Sequence, residues 1–359
     1  MATIYDVAKA AGVSPKTVSR VLNDDAPVNE STRQAVNEAI AALDYLPSQA
    51  ARMMRSSRSR LIGLITGAIS QEIGPAVQSG LPEMNIVQAI QREMSAQGKI
   101  LMISDTGGRA DAAPVLARTF AQHRVEGLIY VADHHREIEM DLTSGNCPVV
   151  LVNCYDAAAT PCVLPDDEAG EAALVARLIE AGHRRIGFLP PDRTQPAARL
   201  RLDGYRTALA AAGLAYDPDL VAHVHDPDAD RARALLTEAL DALLSLDAPP
   251  SVICCTNDEM AMRLYGLLRS RGLRVPDDIS VAGYDDHKTI SEMLYPQLTT
   301  VVLPYSEMGR QAARLMLELI EGKPLASPGP TLVDGPVVWR SSVTATEPVD
   351  QLFQGRKTS

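Results

Sequence analysis

The sequence predicts an α/β protein with a small helical head at the N-terminus and a larger body built on parallel β-sheets. Apolar residues recur at helical spacing through residues 3–43, which favours a cluster of short helices. Beyond Arg60, apolar strand candidates alternate with amphipathic helices, the pattern of consecutive βαβ units. Charge divides at the same point, because residues 1–60 hold eight Lys and Arg against six Asp and Glu, while the whole chain carries −11. These observations predict two separately folded parts.

The first two predicted helices lie in TIYDVAKAAGVSPKTVSRVLN, which runs from Thr3 to Asn23. Thr3 can cap the first helix with Asp6 in the answering position of a capping box, and Gly12 can end it. Ser14 can then cap a second helix whose first turn accommodates a proline. Two helices around a glycine turn indicate a helix-turn-helix, which inserts its second helix into the DNA major groove. An ordinary amphipathic helical hairpin is the alternative interpretation.

A third helix, over about residues 31–43, completes the head, residues 1–46. The linker that follows, residues 47–60, contains four arginines, and no acidic residue lies between Asp44 and Glu72. Because basic side chains displace counterions from DNA phosphates, contact with nucleic acid is expected in the head and linker and not in the acidic body. A solvated tether is the alternative for the linker.

The body, residues 61–345, contains two series of predicted strands. They are Leu61 to Ile65, Ile100 to Ile103, Gly127 to Val131 and Val149 to Val152, then Arg185 to Leu189, Leu220 to Val224, Ser251 to Cys254 and Ser280 to Ala282. About 290 residues exceed one compact core, so two α/β lobes are expected. A ligand would bind in the cleft between them.

Residues 1–60 resemble the DNA-binding head and hinge of the LacI/GalR family of bacterial transcriptional regulators, and the likeness extends over about residues 2–345. It rests on the helix-turn-helix segment, on STRQAVNEAIAALDYLP and on SQAARMMRSSRS, in the order and spacing of the family. The resemblance implies that the linker forms a hinge helix on operator DNA and that the body is periplasmic-binding-protein-like. Crossovers between lobes are implied near Cys162, Ser291 and Ala326, which gives a first lobe of about residues 61–162 and 292–325, a second of about residues 163–291 and 326–345, and a tail, residues 346–359.

The resemblance also assigns candidate DNA contacts. Pro15, Lys16 and Arg20 fall on the base-reading positions, where Lys16 and Arg20 can donate to guanine O6 and N7. Helical spacing turns Lys16, Thr17, Ser19 and Arg20 outward. Contacts to phosphate and backbone, which set register without reading sequence, are implied for Thr3, Tyr5, Ser14, Thr17, Ser19, Asn23 and Thr32. Hinge contacts are implied for Tyr45, Ser48, Ala51 and Met54. Ser48 replaces the usual Asn and Met54 the usual wedging leucine, so the hinge is atypical.

A small-molecule effector in the cleft is implied as well. Its candidate ligands are Asn153, Arg201, Asn257 and Asp285, with Tyr155 and Ile69 nearby. Such groups supply the paired donors and acceptors that a polyhydroxyl ligand needs. Helix capping is the alternative for the Asp and Asn residues, above all for the pair Asp166-Asp167, and plain packing is the alternative for Tyr155 and Tyr284.

The effector itself is not inherited from the resemblance, because the segment after the first strand is longer than usual and lacks the family's Asn-Pro-Phe turn. A sugar or glycoside is the first expectation. A purine is the second, because three Phe and one Trp leave few rings to sandwich a base. Whether the effector loosens or tightens DNA binding stays open, although a repressor is expected.

Composition limits the other classes. No apolar run is long enough to cross a membrane and no signal segment precedes the head, so a cytoplasmic location is expected. Five cysteines at no zinc-like spacing indicate reduced thiols, and neither a metal nor a cofactor is expected. His134-His135 is expected on a surface loop.

Two competing functions are an α/β enzyme and a secreted solute-binding protein. The sequence lacks the glycine-rich nucleotide motifs, the nucleophile elbow and the HExxH zinc motif, and a secreted protein would carry a signal segment in place of the head. A homodimer is expected because one head reads one half of a palindromic operator. The tail lacks the leucine heptads that a tetramer would use.

Overall fold

The computed structural model describes residues 2–23, 27–45, 59–67, 69, 82–107, 109–142, 147–190, 194–224, 228–325 and 329–346. They fall into two compact units, one within residues 1–60 and one within residues 61–359. The division follows Arg60, where the charge and the hydrophobic pattern of the sequence change. Each unit is described separately.

The head contains three helices within its described residues: α1 (Ile4–Ala10), α2 (Pro15–Asn23) and α3 (Glu30–Ala42). The predicted capping box is confirmed, since Thr3 N donates to Asp6 Oδ2 at 2.8 Å and Asp6 N donates to Thr3 Oγ1 at 3.4 Å. Ser14 caps α2 by accepting from Thr17 N at 3.1 Å, and Gly12 makes the turn with φ of +66°. Buried side chains form one small core: Val7, Ala8, Val18, Val21, Val36, Ala39 and Tyr45.

The first lobe of the body is a parallel sheet with helices on both faces. Its described strands are ordered β10 (Thr331–Val333), β5 (Cys162–Pro165), β4 (Val149–Tyr155), β3 (Gly127–Glu137), β1 (Leu61–Thr66) and β2 (Ile100–Asp105). One face packs on α4 (Pro82–Ala96) and α11 (Tyr305–Ile320), and the other on α5 (Ala113–Gln122). The inner strands β1, β4 and β5 are buried on both faces, as the apolar runs in the sequence indicate, whereas the edge strand β2 is partly exposed.

The second lobe has the same architecture. Its described strands are ordered β11 (Val337–Val338), β9 (Thr299–Val302), β8 (Ser280–Asp285), β7 (Val252–Cys255) and β6 (Ile186–Leu189), all parallel except β11. α6 (Asp167–Glu180) and α7 (Pro196–Ala211) cover one face, and α8 (Ala229–Leu244) and α9 (Asp258–Ser270) cover the other. A short helix, α10 (Lys288–Ser291), follows β8. The predicted two-lobed α/β body is therefore confirmed.

One predicted strand is wrong. The stretch Leu220–Val224 contains the end of a 3-10 turn, Pro218–Leu220, and a single isolated bridge from Val221 to Phe188. Asp217 caps this turn by accepting from Asp219 N, and proline has no N–H for a ladder, so the chain turns where a strand would have to begin.

The boundary between the lobes also differs from the prediction. The first crossing follows Pro165, close to the predicted Cys162. The second follows Val302 and not Ser291, because β9 pairs with β8 in the second sheet. Residues 292–302 therefore belong to the second lobe. The four residues of β9, two threonines and two valines, carry too little periodicity to reveal a strand in the sequence.

The third crossing follows Val333, because β10 pairs in parallel with β5 of the first sheet. The predicted crossing at Ala326 lies outside the described residues, but residues 331–333 belong to the first lobe and not to the second. In the described part of the chain, no helix is both long and apolar enough to span a bilayer.

Close packing of α6 against α7 predicts a steric effect at Gly204. A Cβ atom there would lie 2.2 Å from the backbone oxygen of Glu168. Gly204→Ala should therefore push the two helices apart and lower the free energy of unfolding by about 1–3 kcal/mol, measured by urea denaturation.

Gly266→Ala is the matched control, because Gly266 lies within α9 and a Cβ there meets no atom within 4 Å. Alanine stabilises an open helix position relative to glycine by about 0.5–1 kcal/mol. Equal effects of the two substitutions would contradict the assigned helix contact.

Candidate nucleic-acid interface and ligand site

The outer face of α2 carries two cationic side chains one helical turn apart. Lys16 and Arg20 are both exposed, and their four-residue spacing places them side by side on the helix. Pro15 and Thr17 beside them are half-buried, and Ser14 Oγ lies 2.9 Å from Thr17 Oγ1. Long donors in this arrangement can reach base edges in a major groove.

The other candidate contacts of the head lie on all three helices or at their ends. Tyr5 is 71% exposed, and Thr3 is exposed while its hydroxyl donates to Asp6 Oδ2 at 2.7 Å. Thr32 is half-buried in the first turn of α3, and Asn23 is the last residue of α2. The hinge candidates Ser48, Ala51 and Met54 lie outside the described residues.

Two predicted contacts of the head are corrected by their burial. Ser19 is 5% exposed and Tyr45 is 8% exposed, so neither presents a free surface to a phosphate. Ser19 follows the core residue Val18 and lies one turn after Pro15, on the side of α2 that packs inward. The Tyr45 ring closes the bottom of the core of the head. Both corrections follow from packing that helical spacing alone does not specify.

In the body, Arg201 is the centre of a buried polar cluster. Its Nε donates to Asp167 Oδ1 at 2.8 Å and its Nη1 donates to Thr256 O at 2.6 Å. The guanidinium carbon lies 3.5 Å from the centroid of the Tyr284 ring, a cation–π contact. Arg201 is 6% exposed and Tyr284 is 2% exposed. Tyr284, expected either to stack on a ligand or to pack, lies beneath Arg201.

Asp167 is bound from both sides, and the preferred capping interpretation is wrong for it. Asp166 caps α6 by accepting from Ala169 N at 3.0 Å, which leaves Asp167 to accept from Arg201 and from His135 Nδ1 at 2.8 Å. Burial alone would raise the pKa of Asp167, but the charge of Arg201 and the bond from His135 outweigh it and hold that pKa below its usual value. Asp167 is therefore a buried carboxylate.

Asn257 and Asp285 both line a cavity of about 650 Å³ at the carboxyl ends of the second-sheet strands. Asn257 also caps α9, since its Oδ1 accepts from Met260 N at 2.8 Å. Asp285 has a φ of +112°, and burial raises its pKa well above the ordinary value although the charge of Arg201 opposes this. A carboxyl group such as that of Asp285 can form hydrogen bonds with the hydroxyl groups of a ligand in the cavity.

The acids next to these two residues have structural partners. Asp258 accepts from Thr300 Oγ1 at 2.6 Å and from His287 N at 2.7 Å. Asp286 forms ion pairs with Arg340 at 2.8 Å and with Lys288 at 2.6 Å. Both side chains are therefore held by contacts within the second lobe.

The three first-lobe candidates do not form one cluster. Asn153 is 2% exposed and has a φ of +60°, and its Nδ2 donates to Ala132 O at 3.3 Å. The Tyr155 ring packs edge-on against His135, with centroids 6.0 Å apart. Ile69 is 52% exposed, and its N donates to Asp105 Oδ2 at 2.8 Å.

Two buried polar residues near Asp167 were missed in the sequence. His135 was expected on a surface loop, but it lies in β3 and is 7% exposed. Glu171 lies one turn after Asp167 in α6, is 1% exposed, and has one carboxyl oxygen, Oε1, without a hydrogen-bond partner. Burial raises the pKa of Glu171 to about 8. The position of Glu171 among the apolar residues of α6 could have indicated its burial from the sequence. No pattern in the sequence indicated the burial of His135.

The cysteines and acids supply no evident metal site. Burial raises the pKa of Cys162 to about 11, and all five thiols are free. Among the described residues, no group of three or more His, Cys, Asp or Glu side chains is arranged to hold a metal ion.

A helix-turn-helix unit and a two-lobed α/β unit with a polar cleft, joined in one chain, define a DNA-binding regulator with a ligand-binding body. Residues 3–48 match the family model of bacterial regulatory proteins, lacI family, and residues 175–343 match that of a periplasmic binding protein-like domain. The chain belongs to the lacI family of bacterial regulatory proteins.

Relatives match the chain over nearly its whole length. The transcriptional regulator GalR of Escherichia coli strain K12 is 32% identical over 348 residues, 96% of each chain. The transcriptional repressor PurR of Vibrio atlanticus strain LGP32 is 32% identical over 326 residues, 90% of this chain and 93% of the relative. The crystal structure of the lac repressor dimer bound to operator and the anti-inducer ONPF matches with a TM-score of 0.77 and 28% identity, covering 96% of this chain and 99% of that one.

The raised pKa of Glu171 predicts a pH-dependent stability. Between its ordinary pKa of 4.5 and about 8, the unfolded chain releases a proton that the folded chain keeps, so the free energy of unfolding falls as pH rises through that window. Glu171→Gln removes this loss of stability. The difference in melting temperature between the variant and the wild type should therefore grow in favour of the variant as pH rises from 4.5 to about 8. The gain near its upper end should be about 1–3 kcal/mol.

Glu168→Gln is the control, because Glu168 is an exposed acid of the same helix. Its melting temperature should parallel that of the wild type at each pH. Parallel curves for Glu171→Gln and the wild type would refute the burial argument.

Proposed function

We propose that the protein is a transcriptional repressor that reads a palindromic operator through α2 and binds a neutral sugar or glycoside between the lobes of its body. The observation that carries the proposal is the pair of cationic side chains on the free face of α2, in the same chain as an anchored arginine in a polar cleft. The effector controls the affinity for DNA.

Sequence reading is assigned to Lys16 and Arg20. Both side chains are exposed, and the first turn of α2 contains no acidic residue to repel DNA. Arg20 can donate two parallel hydrogen bonds to guanine, whereas Lys16 donates from one point. Thr3, Tyr5, Thr17 and Thr32 fit contacts with the phosphate backbone.

A homodimer fits the proposed reading of two half-sites. The lac repressor that matches this chain is a dimer on its operator. Large apolar side chains on the body are exposed at Ile100 and Ile103 of the edge strand β2, and at Met293 and Tyr295 after α10. Exposed apolar side chains of this kind are available for association with a second copy.

The charge of the cavity favours a neutral effector over an anionic one. Of the described residues that line it, Lys288 and Arg310 are the Lys and Arg side chains, and both are already paired with carboxylates. Asp258, Asp285 and Asp334 line the same cavity and have no ion pair within the described part of the chain. Among the described lining residues, a phosphate group would therefore meet no unpaired Lys or Arg, while sugar hydroxyls can form hydrogen bonds with the carboxyl groups.

The few aromatic rings that line the cavity favour a sugar over a purine. Tyr305 is the only Tyr, Phe or Trp among the described lining residues, so a planar base has no pair of rings between which to stack. The likeness to PurR repressors keeps a purine as the second candidate. Effector and DNA binding are linked reciprocally in either case.

Replacement of Arg20 by alanine tests the DNA-binding surface. Selection of binding sites from random duplex DNA with the wild-type chain should yield a palindrome, as expected for a dimer. Arg20→Ala should then weaken binding to that site by about 1–3 kcal/mol and relax the base preference at one position of each half-site, measured by gel shift.

Gln34→Ala is the control, since Gln34 is exposed on α3 and its Nε2 donates to Glu38 Oε1 at 3.0 Å. It should leave both affinity and base preference unchanged. A selected site without two-fold symmetry would argue against the dimer, and unchanged binding by Arg20→Ala would argue against the groove assignment.

A thermal-shift series tests the effector class. D-glucose, D-galactose, D-ribose and cellobiose represent neutral sugars, D-glucose 6-phosphate an anionic sugar, and adenine and guanine the purines. One neutral sugar should raise the melting temperature, since a ligand at 100 times its Kd stabilises the folded state by about 2.7 kcal/mol. Arg201→Ala and Asp285→Asn should both abolish the shift.

Two variants are needed because removing one partner of a buried ion pair costs about 3–5 kcal/mol, which affects the fold in Arg201→Ala more than in Asp285→Asn. Glu318→Gln, at an exposed position of α11, is the control and should keep the shift. A shift with a purine or with the phosphorylated sugar alone would overturn the neutral-sugar proposal.

A further inference from the structure

A buried hydrogen-bond network links the two lobes close to Asp285, which lines the proposed ligand cavity. His135 lies on β3 of the first lobe, whereas Asp167 and Arg201 belong to the second lobe. One carboxylate oxygen of Asp167 accepts from His135 Nδ1 and the other from Arg201 Nε, each at 2.8 Å. The side chains of His135, Asp167 and Arg201 are 6%, 0% and 7% exposed, so solvent competes little for these bonds.

The His135 ring reaches Asp167 because β3 is irregular at this point. The pairing of β3 with β4 shifts register between Val131 and Arg136. Bulges of this kind turn a side chain away from the regular alternation of a strand. Opposite the irregularity, Asn153 adopts a left-handed backbone conformation and its side chain donates to Ala132 O. The Asn153 side chain thus bridges the two strands where their regular pairing is interrupted.

Two further contacts restrict the network to one arrangement. The Tyr155 ring packs edge-on against His135 at 6.0 Å, which fixes the plane of the imidazole. On the other side, Thr256 O and the Tyr284 ring hold the Arg201 guanidinium. The Asp167 carboxylate lies between the two, and its two hydrogen bonds set its angle.

We infer that His135 is a positioning residue for effector recognition, which orients the Asp167 carboxylate and through it the Arg201 guanidinium in the cleft. The first lobe thereby takes part in binding through an arginine of the second. The ligand in this inference rests on the proposed function. The positioning of Arg201 by His135 rests only on the buried contacts.

Chemical modification of Arg201 tests the positioning without any effector. Phenylglyoxal modifies accessible guanidinium groups, so Arg201 should be protected in the full wild-type chain. His135→Phe keeps a ring of similar size but removes the donor to Asp167. The Arg201 peptide should then be modified roughly tenfold faster, followed by mass spectrometry, because a hydrogen bond to a buried charge has been lost.

Three further variants make the result specific. His134→Phe is the matched control, since the neighbouring His134 is 43% exposed and bonds Asp133 instead. His135→Gln keeps an N–H donor and should restore most of the protection. Asp167→Asn should raise the modification rate by itself, and adding His135→Phe to it should raise the rate no further. If His135→Phe does not fold by circular dichroism, the comparison of His135→Gln with Asp167→Asn decides.

The outcome that overturns the inference is a folded His135→Phe chain in which Arg201 is as well protected as in the wild type. Thermal shifts with the same four neutral sugars test the effect of His135 on ligand binding. A sugar that shifts the wild-type melting temperature should bind His135→Phe roughly tenfold more weakly and bind His134→Phe unchanged. If none of the sugars binds the wild type, the proposed effector class fails, while the modification result still decides the role of His135.

Discussion

The carboxylate of Asp167 is the group on which the arrangement of the body depends. A buried charge is costly unless it is paired and fully hydrogen-bonded, and this one is shared between a histidine of the first lobe and an arginine of the second. The irregular turn of β3 and the close approach of α6 to α7 at Gly204 both serve to bring these partners together. The lobes are therefore joined by electrostatics at the point where a ligand would bind.

The body around Asp167 contains more acidic than basic residues. Glu171 and Asp285 have pKa values raised by burial, so they carry protons at pH values where exposed carboxyl groups do not. Neutral carboxyl groups both donate and accept, which suits a hydroxylated ligand better than an anion. Residues 1–60, the head with its linker, have the opposite balance, with eight Lys and Arg against six Asp and Glu, and the exposed face of α2 carries cationic side chains. The two units thus have electrostatic surfaces suited to opposite partners.

The predictions from sequence succeeded where the determining forces are local. The capping box of Thr3 and the Ser14 cap involve residues three positions apart, so they could be read directly. The predictions failed where a side chain is buried by residues that are distant in the chain. Ser19 and Tyr45 are covered by the packing of the head. His135 is turned inward by a bulge, and its partner Asp167 lies 32 residues away in the chain.

The sequence by itself determined the class of fold, the division of charge after Arg60, and the two helices around the Gly12 turn, because periodicity, capping and composition act over a few residues. Only the tertiary structure decided where the chain crosses between lobes, since β9 and β10 are too short to be recognised without the strands that pair with them. It also decided which acid caps a helix and which joins the lobes. Asp166 and Asp167 are adjacent and chemically identical, and only the position of Arg201 and His135 in space distinguishes them.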